Sequence, residues 1–181
     1  MSPAVSNLIA LYERNPTREA DLAWYADAKR EVAKRAQAHG LPVKRYAAVV
    51  AATSPMTQWH TVNGAWPNLD AADRAVRWHR GELESPRMLK TSANNSARIL
   101  DGADPMAVLG PKTRAFWRAL LGHDDVVLDR WALRAIGWPR ESVTEAEVPT
   151  ASEPYFAAAA ILNVKPSALQ AATWAQIRRE S

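Results

Sequence analysis

The chain contains no cysteine, so disulfides, thiolate nucleophiles and cysteine-held zinc or iron–sulfur centres are all excluded. No run approaches the ~20 apolar residues that a membrane-spanning helix requires. Residues 1–15 are interrupted by Glu13 and Arg14 where a leader would carry its apolar core. Internal repeats, low-complexity tracts and domain-splitting linkers are also missing. What is present is a chain of 181 residues, 48% of them apolar, which excludes disorder as a description of the whole. The expectation is one well-packed cytoplasmic domain without a membrane segment.

The net charge of +4 is mild but unevenly spread. Residues 74–118 hold nine Lys/Arg against four Asp/Glu, whereas Glu141, Glu145, Glu147 and Glu153 have no basic residue between them. A basic segment of this kind suits a polyanion, because neutralising phosphates releases condensed counterions. A solvated helix face accounts for the same charges equally well.

The periodicity is helical almost throughout. Leu22, Tyr25, Val32 and Ala36 recur at helical spacing until Gly40 and Pro42 stop the helix. Arg45 to Thr53 is alanine-rich, which favours helix over strand because alanine loses no side-chain entropy there. Ser54-Pro55 breaks it. A helix follows from Pro55 to Trp66, then Asp70 caps Ala71 to His79, and Thr91 or Ser92 caps a helix that Gly102 ends. Asp104-Pro105 starts a short helix and Gly110 turns it into another. Arg130 to Ile136, Tyr155 to Leu162 and Pro166 to Arg179 complete an all-α chain of eight to ten helices. N-terminal helices occupy 1–42, a core with a hairpin at 104–121 occupies 43–140, and C-terminal helices occupy 141–181.

The residues with chemical interest are Lys112, just inside the second helix of that hairpin, and Asp129, which ends an apolar run and opens a helix. Two short helices joined by a glycine turn can aim backbone N–H groups at a phosphate. A carboxylate at a helix start can stabilise a cationic sugar as its base departs, or position water, while a desolvated lysine can attack the sugar carbon. Asp129 is also a preferred helix cap, and the two roles can coexist. His123-Asp124-Asp125 superficially suggests a metal site but follows Gly122 in a turn, and His60 and His79 lack ligand spacing, so neither a metal nor another cofactor is expected. Eight tryptophans in a helical domain are mostly core, and Trp66, Trp117 and Trp174 are assigned there.

Four stretches, taken in order, resemble the helix-hairpin-helix DNA glycosylase superfamily that contains endonuclease III, in a form without its iron–sulfur cluster. They are Val49 to Ala65, Asn95 to Leu100, Leu109 to Thr113, and Val127 to Asp129 with Arg134. The resemblance covers about half the chain and implies a compact glycosylase-type helical domain that flips a base, a modified one being expected. It implies Asp129 as the catalytic carboxylate and Lys112 as nucleophile or phosphate contact. Ser54, Thr57, Gln58, Trp59 and Asn63 would probe the base stack. Gly110, Thr113, Arg114, Arg130, Trp131 and Arg134 would complete the DNA contacts.

The whole is also similar to small proteins of actinobacterial phages, which implies the host cytoplasm as its location. DNA is the implied partner, single- or double-stranded, a host protein is a further one, and a monomer is expected. The chain departs from the superfamily in having one hairpin glycine followed by Pro111, which removes an N–H donor, and in carrying Trp131 where histidine is frequent. Two other functions suit the same resemblance. One is thymine hypermodification, displacing pyrophosphate from an activated hydroxymethyl base. The other is a catalytically silent DNA-binding or host-interaction protein.

Overall fold

The computed structural model describes residues 1–55, 57 and 66–181. The expected helix from Pro55 to Trp66 therefore lies mostly outside the described residues. Among these, the chain is all-α: α1 (Pro3–Glu13), α2 (Arg18–Ala38), α3 (Val43–Thr53), α4 (Pro67–His79), α5 (Lys90–Leu100), α6 (Pro105–Val108), α7 (Pro111–Leu120), α8 (Arg130–Ala135), α9 (Val148–Leu162) and α10 (Pro166–Arg179). A 3-10 turn, Glu145–Glu147, leads into α9. The chain divides into a terminal unit, Met1–Ala28 with Arg118–Ser181, and a central unit, Lys29–Trp117. Within the terminal unit α1 packs against α9 and α10, so the two ends of the chain meet there.

In the central unit α3 is enclosed on every side. No residue from Tyr46 to Ser54 is more than 3% exposed, and α4 and α5 flank the helix. Small side chains permit that closeness: Ala47, Ala48, Ala51 and Ala52 on α3 are matched by Ala71, Ala72 and Ala75 on α4 and by Ala93 and Ser96 on α5. The terminal unit has its own core, in which Leu8 and Leu11 of α1 join Val126, Leu128, Leu133, Tyr155 and Leu169.

Three helix starts differ from the sequence reading. α4 begins at Pro67, the favoured first position for proline, so Asp70 lies inside it and binds Arg35 at 2.6 Å instead of capping. α5 begins at Lys90, after Leu89, with no side-chain cap from Thr91 or Ser92. α9 begins seven residues before Tyr155 and passes through Pro154. Proline there forfeits the bond to the carbonyl of Thr150, an exposed residue whose carbonyl water can reach. The stops agree better: Gly40 and Gly102 both have positive φ, at 64° and 105°, which glycine adopts without a Cβ penalty.

Candidate nucleic-acid interface around Asp129

Helix α8 starts where the buried run Val126-Val127-Leu128 meets Asp129, whose extended backbone (φ −90°, ψ 177°) makes it the N-cap. Its Oδ1 accepts from the N–H groups of Trp131 at 3.0 Å and Ala132 at 2.9 Å. This satisfies two of the donors that a helix start leaves over. Oδ2 accepts from the indole Nε1 of Trp174, on α10, at 2.7 Å. Asp129 is 8% exposed and Trp174 5%, so the bond lies in the interior of the terminal unit. From α9, the Tyr155 hydroxyl donates to the Ala132 carbonyl at 3.0 Å and ties the first turn of α8 down again.

Around this carboxylate sits a buried polar layer. Tyr25 donates its hydroxyl to Gln170 Oε1 at 3.1 Å, while Gln170 Nε2 is enclosed without a hydrogen-bond partner. Burial, and secondarily the charge of Asp129, pushes the Tyr25 phenol well above its ordinary range. Burial raises Tyr155 too, with Asp129 adding to it and a hydrogen bond with Thr173 opposing it.

The outer side of α8 has a different character. The guanidinium carbons of Arg130 and Arg134 lie 5.0 Å and 4.9 Å from the centroid of the Trp131 ring. Both arginines are exposed and Trp131 is half-buried. Arg134 also pairs with Glu141, and Arg178 stands 4.8 Å from the Trp174 ring. Guanidinium groups over indoles present planar, weakly hydrated cations, the chemistry that grips phosphate and stacks on bases.

The central unit carries the expected hairpin: α6, a connector of Leu109 and Gly110, and α7. Asp104 caps α6 through Met106 N–H at 3.0 Å. The α7 ladder begins with Arg114 N–H on the Gly110 carbonyl at 2.8 Å. That carbonyl also accepts from the Thr113 hydroxyl at 3.1 Å, and Arg114 Nη2 donates to the Leu109 carbonyl at 3.1 Å. Gly110 has no positive φ, and a Cβ placed there would meet nothing within 4 Å. The hairpin therefore does not need this glycine for its own backbone, and the space over it is open to an approaching group.

The candidate residues thus separate into sets. Asp129, Arg130, Trp131 and Arg134 share one short helix in the terminal unit, while Gly110, Lys112, Thr113 and Arg114 share the hairpin of the central unit. Lys112 is half-buried. Ser54 is 1% exposed and gives its hydroxyl to the Ala51 carbonyl at 2.9 Å, while Thr57 gives its own to Thr53 at 2.8 Å, so both hydroxyls serve the end of α3. Gln58, Trp59 and Asn63 lie outside the described residues. No cluster of three metal-ligating side chains occurs among the described residues, and Asp125 and Asp124 of the turn pair with Arg118 and Lys165.

Sequence reasoning missed a second polar cluster, in the central unit. Asp73 accepts from Arg35 at 2.6 Å and from Tyr46, and its Oδ1 lies 2.8 Å from His39 Nε2. The signal was present as Arg35/His39 and Asp70/Asp73, pairs spaced four and three apart that fall on single helix faces. The Trp174–Asp129 bond was missed as well, since a tryptophan in an apolar pattern reads as packing alone.

A model of one protein family, described as a family of unknown function (DUF7178), matches residues 1–181. No curated protein and no solved structure matches the chain significantly.

Proposed function

The chain belongs to that family of unknown function, DUF7178, and we propose that it is a nucleic-acid-binding protein whose contact surface is the Arg130–Trp131–Arg134 face of α8. The observation that carries this reading is the pair of exposed guanidinium groups set at 4.9–5.0 Å from one indole. Asp129 holds the helix that displays them. The open space over Gly110 and the start of α7 supply a second, sequence-independent phosphate contact. A helix-hairpin-helix fold of the glycosylase type belongs to this reading, supported by the α6–α7 hairpin.

The test is fluorescence anisotropy with single- and double-stranded 20-mers over a range of salt. Arg130→Ala/Arg134→Ala should weaken binding at least tenfold and flatten the salt dependence by about 1.5 to 2 in log–log slope, from loss of two phosphate contacts. Glu141→Gln, which frees Arg134, should tighten it. Affinity and slope unchanged in the double variant would end the proposal.

A second reading places chemistry on the same helix, favoured by the position of Asp129 as the N-cap of α8, which also carries Arg130 and Arg134. Asp129 would stabilise the sugar of an extruded nucleotide as a modified base leaves. Its three protein donors weigh toward a holding role, so this reading stands second. Abasic-site formation that Asp129→Asn abolishes, in a variant that still folds and binds, would move it to first. Base modification with an intact glycosidic bond, dependent on a small amine, would indicate hypermodification on the same site.

A further inference from the structure

In the central unit, the start of α3 and the connector from α5 to α6 border a cavity of about 210 Å³. Pro42, Lys44 and Arg45 line one side of it and Gly102 to Pro105 the other. From α7, the Trp117 indole Nε1 donates to the Lys44 carbonyl at 3.0 Å and fixes the first side in place. Two prolines and Ala103 make much of the wall apolar, and a Cβ on Gly102 would meet nothing within 4 Å. Val43 and Met106, next in the chain to lining residues, are large apolar side chains left 39% and 43% exposed.

The charged groups at this cavity lack ionic partners. Elsewhere in the same unit Arg35 pairs with Asp70 and Asp73, and Arg77 with Glu82. Among the described residues, by contrast, the side chains of Lys44 and Arg45 make no ion pair, with Asp104 or with any other carboxylate. The Lys44 ammonium lies 5.6 Å from the centroid of the Trp117 ring, and the Arg45 side chain is half-buried. Asp104 commits Oδ1 to the Met106 N–H at 3.0 Å, and its Oδ2 bonds to no described residue. Two cations and a carboxylate, held apart around one apolar concavity, suit a ligand with an anionic end, a flat body and an N–H donor.

We propose that this cavity holds the base of one nucleotide whose ring carries an exocyclic amino group, cytosine being the smallest. The volume is below the ~300 Å³ at which sites for larger ligands begin, so the sugar and phosphate stay at the mouth. There Lys44 and Arg45 take the phosphate, as charge-assisted donors do. The base lies against Pro42, Ala103 and Pro105, and its amino group donates to Asp104 Oδ2, the pairing by which carboxylates read cytosine. The proposal rests on the nucleic-acid reading above only for the source of the nucleotide. A free nucleotide and the terminal one of a strand present the same chemistry.

Isothermal titration calorimetry with deoxycytidine 5′-monophosphate, thymidine 5′-monophosphate and inorganic phosphate tests this, with thermal melts establishing that each variant folds. The cytidine nucleotide should bind with a Kd of ~1 mM or tighter, about fivefold better than the thymidine one, and phosphate alone should give no measurable binding. Lys44→Gln/Arg45→Gln should weaken it about tenfold, from loss of two charge-assisted contacts. Asp104→Asn keeps a capping oxygen but turns an amide donor into the cavity, so it should reverse the preference toward thymine, whose O4 accepts. Tighter binding of a 5′-phosphorylated oligonucleotide beginning with cytosine would identify a strand end as the source, and tighter binding of the mononucleotide a free one. Phosphate binding as well as the nucleotide, affinity unchanged in Lys44→Gln/Arg45→Gln, or a base preference that Asp104→Asn leaves intact would each overturn the proposal. So would no heat from the cytidine nucleotide, whereas 20-mer binding indifferent to Arg130 and Arg134 would end the earlier reading alone.

Discussion

Asp129 in the terminal unit and Asp73 in the central unit each anchor helices, and they do so by opposite means. Asp129 takes all three of its hydrogen bonds from uncharged donors, two backbone N–H groups and one indole. Asp73 takes its bonds from a guanidinium, an imidazole and a phenol, joining α2, α3 and α4. Asp129 is part of one short helix and fixes its start. Asp73 is a cross-link among three long ones, with side-chain exposure of 27%. An anchor made of fixed backbone dipoles is rigid and local, and substituting its carboxylate leaves a helix end and an indole without their acceptor. An anchor made of partly exposed ions is distributed, and losing one member leaves the others some recourse to water.

The largest effect expected from this contrast is at Asp129. Asp129→Ala loses a helix cap and the acceptor of the Trp174 indole, together about 3 kcal/mol. Urea denaturation measures it. Asp129→Asn retains a capping oxygen but turns an amide donor toward the indole donor, so it should recover only part of the loss. Full recovery would mean that the Trp174 bond contributes nothing to folding.

A smaller effect is expected at Arg35. Arg35→Met leaves Asp70 and Asp73, three residues apart on α4, without their shared cation, at about 1–2 kcal/mol. Added salt should reduce this difference by screening, whereas the Asp129→Ala difference should not respond. Equal salt dependence of the two variants would break the comparison.

The smallest effect concerns alkaline pH. Burial raises Tyr25, Tyr155 and Tyr46, with Asp129 contributing to the first two and Asp73, by hydrogen bond and charge, to the third. Their folded values therefore exceed the unfolded one near 10, and above that value the folded state holds more protons than the unfolded. Their contribution to stability is fully present below the unfolded value and is lost as pH rises. Stability should be level to about pH 9 and fall by roughly 1 kcal/mol between pH 9 and 10, more steeply beyond. Tyr46→Phe should remove about one third of that fall. If it removes none, Asp73 does not hold the Tyr46 proton.

Legibility from sequence followed the range of the interaction. The Asp129 and Asp104 caps, the Gly40 and Gly102 stops, and the hairpin around Gly110 are local, each decided within a few residues by backbone sterics and unpaired N–H groups. The start of α9 was misplaced because the acidic stretch before Tyr155 reads as a connector, whereas the helix runs through Pro154, whose missing donor an exposed carbonyl can replace with water at modest cost. The inward role of Ser54 depended on how closely α4 and α5 enclose α3, and the sequence pattern around it shows only a polar turn.

Composition and periodicity alone determined that this chain is helical, cysteine-free and punctuated where it is, because these features arise from propensities and turns that need no distant partner. Tertiary structure decided the rest. It set Trp174, 45 residues away, on Asp129. It gathered Asp73 of α4 with Arg35 of α2, His39 just past its end and Tyr46 of α3, turned the Phe156–Ile161 face outward, and brought α1 to the C-terminal helices. Those outcomes depend on which faces pack together, and a face becomes inner or outer only when its partner arrives.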